Sequence, residues 1–254
     1  AGLPASVFKR GEWLAGIADG SLRVAVGHPV NPWVADAGHA DLLLLALDVE
    51  VHAVPRSQVD VHHLTSLDAS RRLAQVSWQP SAATLVAEGQ LGRTLWAHTL
   101  SRGALSVAGQ LLGLAQRMLD LSVDYTAQRK QFGKPIGSFQ AVKHHLADVA
   151  TQLEFAKPVL YRAAYALAQG QSTAHVWVSQ ARLACCEAAW LAARHGIQVH
   201  GAMGYTWEVD LQMFMKRAWA LDNAWGDRAL HKTRVAEHVL SGAAPLGPGH
   251  TFED

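Results

Sequence analysis

Cysteine is nearly absent: the 254-residue chain holds two, Cys185 and Cys186, side by side in an apolar run. Consecutive helical side chains point about 100° apart, so these two are poorly placed to bridge each other, and a disulfide framework is excluded. A pair of small buried side chains in a reduced compartment is expected instead. Long apolar runs are missing too. No stretch approaches the roughly 20 uninterrupted apolar residues of a membrane span. The opening AGLPASVFKRGEWLAGIADG lacks the basic start, apolar centre and cleavage site of a secretory signal. A cytoplasmic protein with no membrane span is expected. Neither sign of charge dominates: 22 Lys+Arg face 21 Asp+Glu with no cationic run, which argues against nucleic acid as a partner. Histidine is plentiful, at fourteen, but the doublets His62-His63 and His144-His145 face apart on a helix or strand. No His-Glu-x-x-His and no Cys-His pair at zinc spacing occurs, so no bound metal is expected.

Half of the residues are apolar, enough for a large core in one or two domains. Residues 1–20 end in a short helical segment, EWLAGIADGSL. Residues 21–88 read as β, because LRVAV, DLLLLALDV, VHAVP, LAQVSW and ATLVAE are short apolar or alternating runs separated by turn residues. Residues 89–242 read as helical. Trp96, Leu100, Ala104, Val107, Leu111, Leu114, Met118 and Leu121 mark one apolar face, and Phe139 through Leu160 mark the next. Gly170 stops that second helix, and Ser172 or Thr173 can start a third, Ala-rich and apolar on most sides, hence central. Pro158 should kink the second helix. Two shorter helices follow Thr206 and Asp222, and residues 243–254 form a loosely ordered tail. The expected fold class is α+β, mostly α: a small β domain followed by an antiparallel C-terminal helix bundle.

Two stretches concentrate chemistry. In YTAQRKQFGKPIGSFQAVKHHLAD, residues 125–148, Arg129, Gln131 and Phe132 sit where one helix ends, and Gly133, Pro135 and Gly137 break the periodicity. Ser138 is a candidate N-cap for the next helix. Arg129 offers a rigid fork of donors suited to a phosphate, and Phe132 a flat face suited to a ring; taken alone, the stretch is also a capped helical corner. In QVHGAMGYTWE, residues 198–208, a helix ends in a Gly-rich turn. Gly201, Ala202 and Gly204 allow close backbone approach to a ligand, and Gln198 can donate and accept. A Gly C-cap with Thr206 capping the next helix reads equally well. The spacing and the preceding helix do not fit a dinucleotide-binding Gly-x-Gly-x-x-Gly.

Together these stretches resemble the flavin-binding signatures of the acyl-CoA dehydrogenases, and the resemblance extends from about Arg93 to Leu240. It implies FAD, an acyl-CoA thioester and α,β-dehydrogenation, in which a carboxylate removes the α-proton while the β-hydride passes to the flavin. It also implies an electron-transfer flavoprotein as acceptor. Arg129, Gln131 and Phe132 would reach across an interface to another subunit's FAD. Gln198, Gly201 and, with one added methyl, Ala202 would meet its diphosphate region. Most of the family's N-terminal helical domain is missing, residues 1–20 resembling only its final turn.

The chain departs from the family where the base should stand. The usual Glu position falls on Trp225, and an alternative one used by a subset of the family falls on Gly103. A shifted alignment would promote Asp222 or Asp227, though Asp222 also reads as the last helix's N-cap and Asp227 as a solvated first-turn carboxylate. Gly27-His28-Pro29 stands where a Thr-Glu-Pro-type loop normally holds the isoalloxazine. Within the resemblance, the chain is similar to the non-catalytic subunit of actinobacterial α2β2 enzymes acting on steroid side-chain CoA thioesters, sharing FAD with a homologous catalytic partner. A self-sufficient enzyme using Asp222 or Asp227, and a purely structural helical subunit, are the alternatives.

Overall fold

A computed structural model describes residues 9–242; the segments 1–8 and 243–254, with the expected tail, lie outside the described residues. The chain divides into two compact units between Leu100 and Ser101.

In the first unit, helix α1 (Arg10–Asp19) ends at Gly20, whose φ of +81° suits a residue without Cβ. Strands β1 (Val24–Gly27), β2 (Val34–Ala35), β3 (Leu42–Leu47), β4 (Glu50–Pro55), β5 (Val59–Leu64), β6 (Leu73–Trp78) and β7 (Leu85–Ala87) follow. One sheet has the order β1-β3-β4-β7, with β1 and β3 parallel; the other has the order β2-β6-β5. Leu43, Leu45 and Val54 of the first sheet share a core with Val34, Val59 and Ala74 of the second, so the two sheets face each other. All five runs read as β contain strands. Strands β2 and β5 are additional: β2 has only two residues, and Val-Asp-Val-His-His-Leu interrupts its alternation at the His doublet.

Helix α2 (Gly89–Gln128) passes through the unit boundary, with Leu95 and Trp96 in a core of the first unit and Ala104 to Met118 in that of the second. Helices α3 (Gln140–Ala168), α4 (Ala174–His200), α5 (Leu211–Asp222) and α6 (Arg228–Leu240) complete the second unit. Fifteen of the 27 residues of α4 are buried, which makes it the central helix of the bundle. Cys185 and Cys186 lie there as free, fully buried thiols, and burial is the main cause pushing them up to about 12 and about 11.

The turn between α3 and α4 closes as expected at Gly170, φ +68°. The Gln171 and Gly170 amides donate to the carbonyls of Ala166 and Leu167, a Schellman closure. Helix α3 continues through Pro158 as one element. Ser138 does not cap α3: its hydroxyl donates to the Pro135 carbonyl at 2.7 Å, and Phe139 holds the cap position with no side-chain bond. Thr206 likewise does not cap α5, which starts five residues later at Leu211: its hydroxyl donates to the Met203 carbonyl at 3.0 Å and accepts from the Glu208 amide at 3.4 Å.

Candidate functional site

The corner after α2 is a tight hairpin. Strand β8 (Lys130–Gln131) pairs antiparallel with β9 (Lys134–Pro135), and the two residues between them, Phe132 and Gly133, have φ of +52° and +80°. A two-residue connection with both φ positive is the type I′ turn, which favours Asn-Gly. A phenylalanine there carries a left-handed conformation costing roughly 1–2 kcal/mol, and its ring is 91% exposed, touching Phe139 edge-on at 6.2 Å. The sequence thus accepts both strain and apolar exposure at Phe132. The main chain of Arg129 is fixed on both sides: its amide donates to the Tyr125 carbonyl and its own carbonyl accepts from Ile136, each at 2.8 Å. Its guanidinium is exposed and has no hydrogen bond or ion pair among the described residues. Gln131 is exposed on β8.

Helix α4 ends at His200, and Gly201, φ +61°, turns the chain into a 3-10 segment, Gly201–Tyr205. Gln198, Gly201 and Ala202 are exposed, and a Cβ on Gly201 would meet nothing within 4 Å. Gly204 differs: it is buried, and a Cβ there would lie 3.0 Å from Ile197 Cα, so it serves packing. The two stretches meet behind their exposed tips. The rings of Tyr125 and His200 stack with centroids 4.2 Å apart and planes inclined by 18°, and the Tyr125 hydroxyl donates to the His200 carbonyl at 3.4 Å. Arg129, Gln131, Phe132, Gln198, Gly201 and Ala202 therefore rise from the adjoining ends of α2 and α4, open to an incoming group. That arrangement, with an unpaired guanidinium, an exposed amide and open backbone at Gly133 and Gly201, fits an anionic diphosphate.

Gly103 and Trp225, the two positions on which the resemblance would place a base, touch each other. A Cβ built on Gly103 would fall 2.1 Å from Trp225 Cδ2, so the indole occupies the space of any side chain at 103. Trp225 adopts φ +58° and is followed by Gly226 at φ +92°. His231, fully buried, bridges Ser179 and the Trp225 carbonyl at 3.1 Å each. Burial, then the Arg182 charge, pushes its imidazole down to about 4.

Neither Asp222 nor Asp227 holds the structural role that the sequence suggested: Asp222 is not the cap of the last helix, and Asp227 is. Asp227 is the N-cap of α6, its carboxylate accepting from the Leu230 amide at 2.8 Å. Asp222 closes α5 inside a polar cluster, accepting from the Cys186 thiol, from Trp190 Nε1 at 2.8 Å and from Arg228 Nε at 3.2 Å. Burial opposes its ionisation, but these hydrogen bonds and the Arg228 charge outweigh it and hold the carboxyl below the usual carboxylate range. Arg182, 1% exposed, donates to the carbonyls of Leu221 at 2.7 Å and Asp222 at 2.8 Å. An arginine inside the apolar run Ala-Arg-Leu-Ala-Cys-Cys was the available signal for this cluster.

In the first unit, His28 is committed to the fold. Its Nδ1 accepts from the Val30 amide at 3.0 Å, which leaves Nε2 to donate to the Trp96 carbonyl at 2.9 Å. The Gly27-His28-Pro29 segment thus presents no free polar side chain. Among the described residues no group of three or more His, Cys, Asp or Glu could hold a metal ion. Among the described residues no helix is long and apolar enough to cross a membrane.

The described residues thus form a β unit followed by a five-helix stretch. Residues 91–240 match the acyl-CoA dehydrogenase C-terminal domain, and the chain belongs to that family. Acyl-CoA dehydrogenase IpdE2 of Mycobacterium tuberculosis is 32% identical over 186 residues, covering 73% of this chain and 53% of that protein. Bovine mitochondrial short-chain specific acyl-CoA dehydrogenase is 33% identical over 157 residues, covering 62% of this chain and 38% of its own length. The chain spans about half the length of the mycobacterial relative it matches. In fold it is similar to an acyl-CoA dehydrogenase from Geobacillus kaustophilus, with TM-score 0.83, 22% identity, and coverage of 91% of this chain and 72% of that one. Butyryl-CoA dehydrogenase from Megasphaera elsdenii gives 0.77 at 21% identity, over 86% and 63%.

Proposed function

We propose that this chain is the non-catalytic subunit of an FAD-dependent, α2β2 acyl-CoA dehydrogenase of the cytoplasm, one that clamps a flavin held chiefly by a homologous catalytic partner. The carrying observation is the packing of Trp225 on Gly103: both places where the family's resemblance calls for a carboxylate lack one, and indole fills the space between them. A carbon-bound proton needs a base within hydrogen-bond reach, and the carboxylates nearest in sequence are engaged elsewhere, Asp222 in its cluster and Asp227 at a helix cap. A self-sufficient enzyme using either Asp is therefore the weaker reading.

Arg129, Gln131, Phe132, Gln198, Gly201 and Ala202 would hold and orient the diphosphate and adenine end of FAD. When bound, that FAD would take up the β-hydride of the acyl-CoA and pass electrons to an electron-transfer flavoprotein. Residues 89–242 would form the bundle that carries the clamp, and residues 21–88 the family's middle domain. Exposed Phe155, Tyr161 and Tyr165 on α3 support an assembled state, since apolar surface of this kind marks interaction sites. A steroid side-chain CoA thioester is the substrate class favoured by the likeness to actinobacterial enzymes; two of the relatives are mycobacterial acyl-CoA dehydrogenases. Arg129→Ala in the complex tests the clamp: it removes charge-assisted bonds worth about 1.5–3 kcal/mol each, so flavin per tetramer should fall on gel filtration. Unchanged flavin content would sink the clamp.

A further inference from the structure

We infer that Tyr125 and His200 are positioning residues that fix the Arg129–Gly133 turn and the Gln198–Ala202 turn at one mutual spacing. The inference rests on reading those turns as an FAD clamp. The turns belong to different helices, and among the described residues no hydrogen bond links residues 129–135 to residues 201–205. What joins them is the Tyr125–His200 stack, at 4.2 Å, with its hydroxyl–carbonyl bond. Each ring is anchored next to the residue it would position. Tyr125 lies one helical turn before Arg129, whose amide donates to the Tyr125 carbonyl at 2.8 Å. His200 immediately precedes Gly201, and its ring is pinned by a 2.8 Å bond from Nδ1 to the Gly196 carbonyl.

Contacts on either side continue the same line. A Cβ on Gly196 would lie 3.3 Å from Ser122 Oγ, so α2 and α4 approach closely one turn behind the stack. A Cβ on Gly137 would lie 3.1 Å from the Thr126 carbonyl, so the segment after the hairpin is folded against the last turn of α2. From α4 through α2 to the corner, spacing is thus set by Gly196 on Ser122, His200 on Tyr125, and Gly137 on Thr126. Two donors sharing one diphosphate must be held to a fraction of an ångström. The stack is the aromatic link nearest both.

The test is FAD affinity of the complex with its catalytic partner, measured by flavin fluorescence in a double-mutant cycle. Tyr125→Leu should raise the FAD dissociation constant about tenfold, and Tyr125→Phe, which keeps the stacked ring, should stay within about twofold of the unaltered complex. Because Tyr125 acts through Arg129, Arg129→Ala/Tyr125→Leu should bind within about twofold of Arg129→Ala alone. Losses that multiply would mark a general packing effect and overturn the inference, as would full affinity in Tyr125→Leu while Arg129→Ala loses flavin. If Arg129→Ala also keeps full affinity, the clamp itself has failed. Should Tyr125→Leu not assemble, His200→Leu takes its place in the same cycle, with the same outcomes deciding.

Discussion

Gly103 and Trp225 fit one another so closely that a single methyl at 103 would fall inside the indole, 2.1 Å from Cδ2. The two positions on which the resemblance would place a base are therefore one packed contact. Overpacking of this kind costs about 1–3 kcal/mol. Gly103→Ala should accordingly destabilise the protein by that amount in urea unfolding, and Trp225→Ala should relieve most of the added penalty in the double variant. Additive losses would show that the cost at 103 does not come from the indole.

The strained turn makes an opposite pair of expectations. Phe132→Asn places Asn-Gly in a type I′ hairpin and removes an exposed ring, so it should stabilise the chain by about 1 kcal/mol. The same variant should lower flavin retention in the complex. Flavin retention equal to the parent's would show that Phe132 has no role at the cofactor.

His231 makes stability depend on pH. Its folded value is about 4 against an ordinary 6.5, so between those values the unfolded chain binds a proton that the folded chain refuses. Stability is full above pH 6.5 and falls as pH drops towards 4, by roughly 3 kcal/mol from this residue. Melting temperatures between pH 4 and pH 7 should show that slope, and His231→Gln should reduce it, the remainder coming from His28, His175 and His200, which burial also pushes down.

The fold was legible because periodicity is strong: the helix faces, the Gly170 stop and the five apolar strand runs all follow from spacing. The cap assignments were not. Ser138, Thr206 and Asp222 have the right chemistry one or more residues from the right place, and each hydroxyl or carboxylate found a tertiary or backward partner first. The exposed turns that hold Arg129 and Gly201 could be located from the motifs, whereas the Tyr125–His200 stack and the Arg182–Asp222 cluster join residues far apart in sequence that no local pattern pairs.

The Asp222 cluster separates structure from chemistry. Asp222→Asn leaves buried Arg182 without its counter-charge and Arg228 with Glu187 alone, and should cost about 3 kcal/mol of stability. Asp227→Asn should cost under about 0.5 kcal/mol, because Asn caps helices as well as Asp does. A well-folded Asp222→Asn or Asp227→Asn complex devoid of dehydrogenase activity would instead identify a base.

The most direct measurement is flavin stoichiometry and acyl-CoA oxidation for the purified chain alone and co-expressed with a homologous catalytic subunit. The account predicts a colourless, inactive protein alone and a yellow, active α2β2 complex that loses flavin on Arg129→Ala. Stoichiometric FAD and turnover in the isolated chain would contradict it.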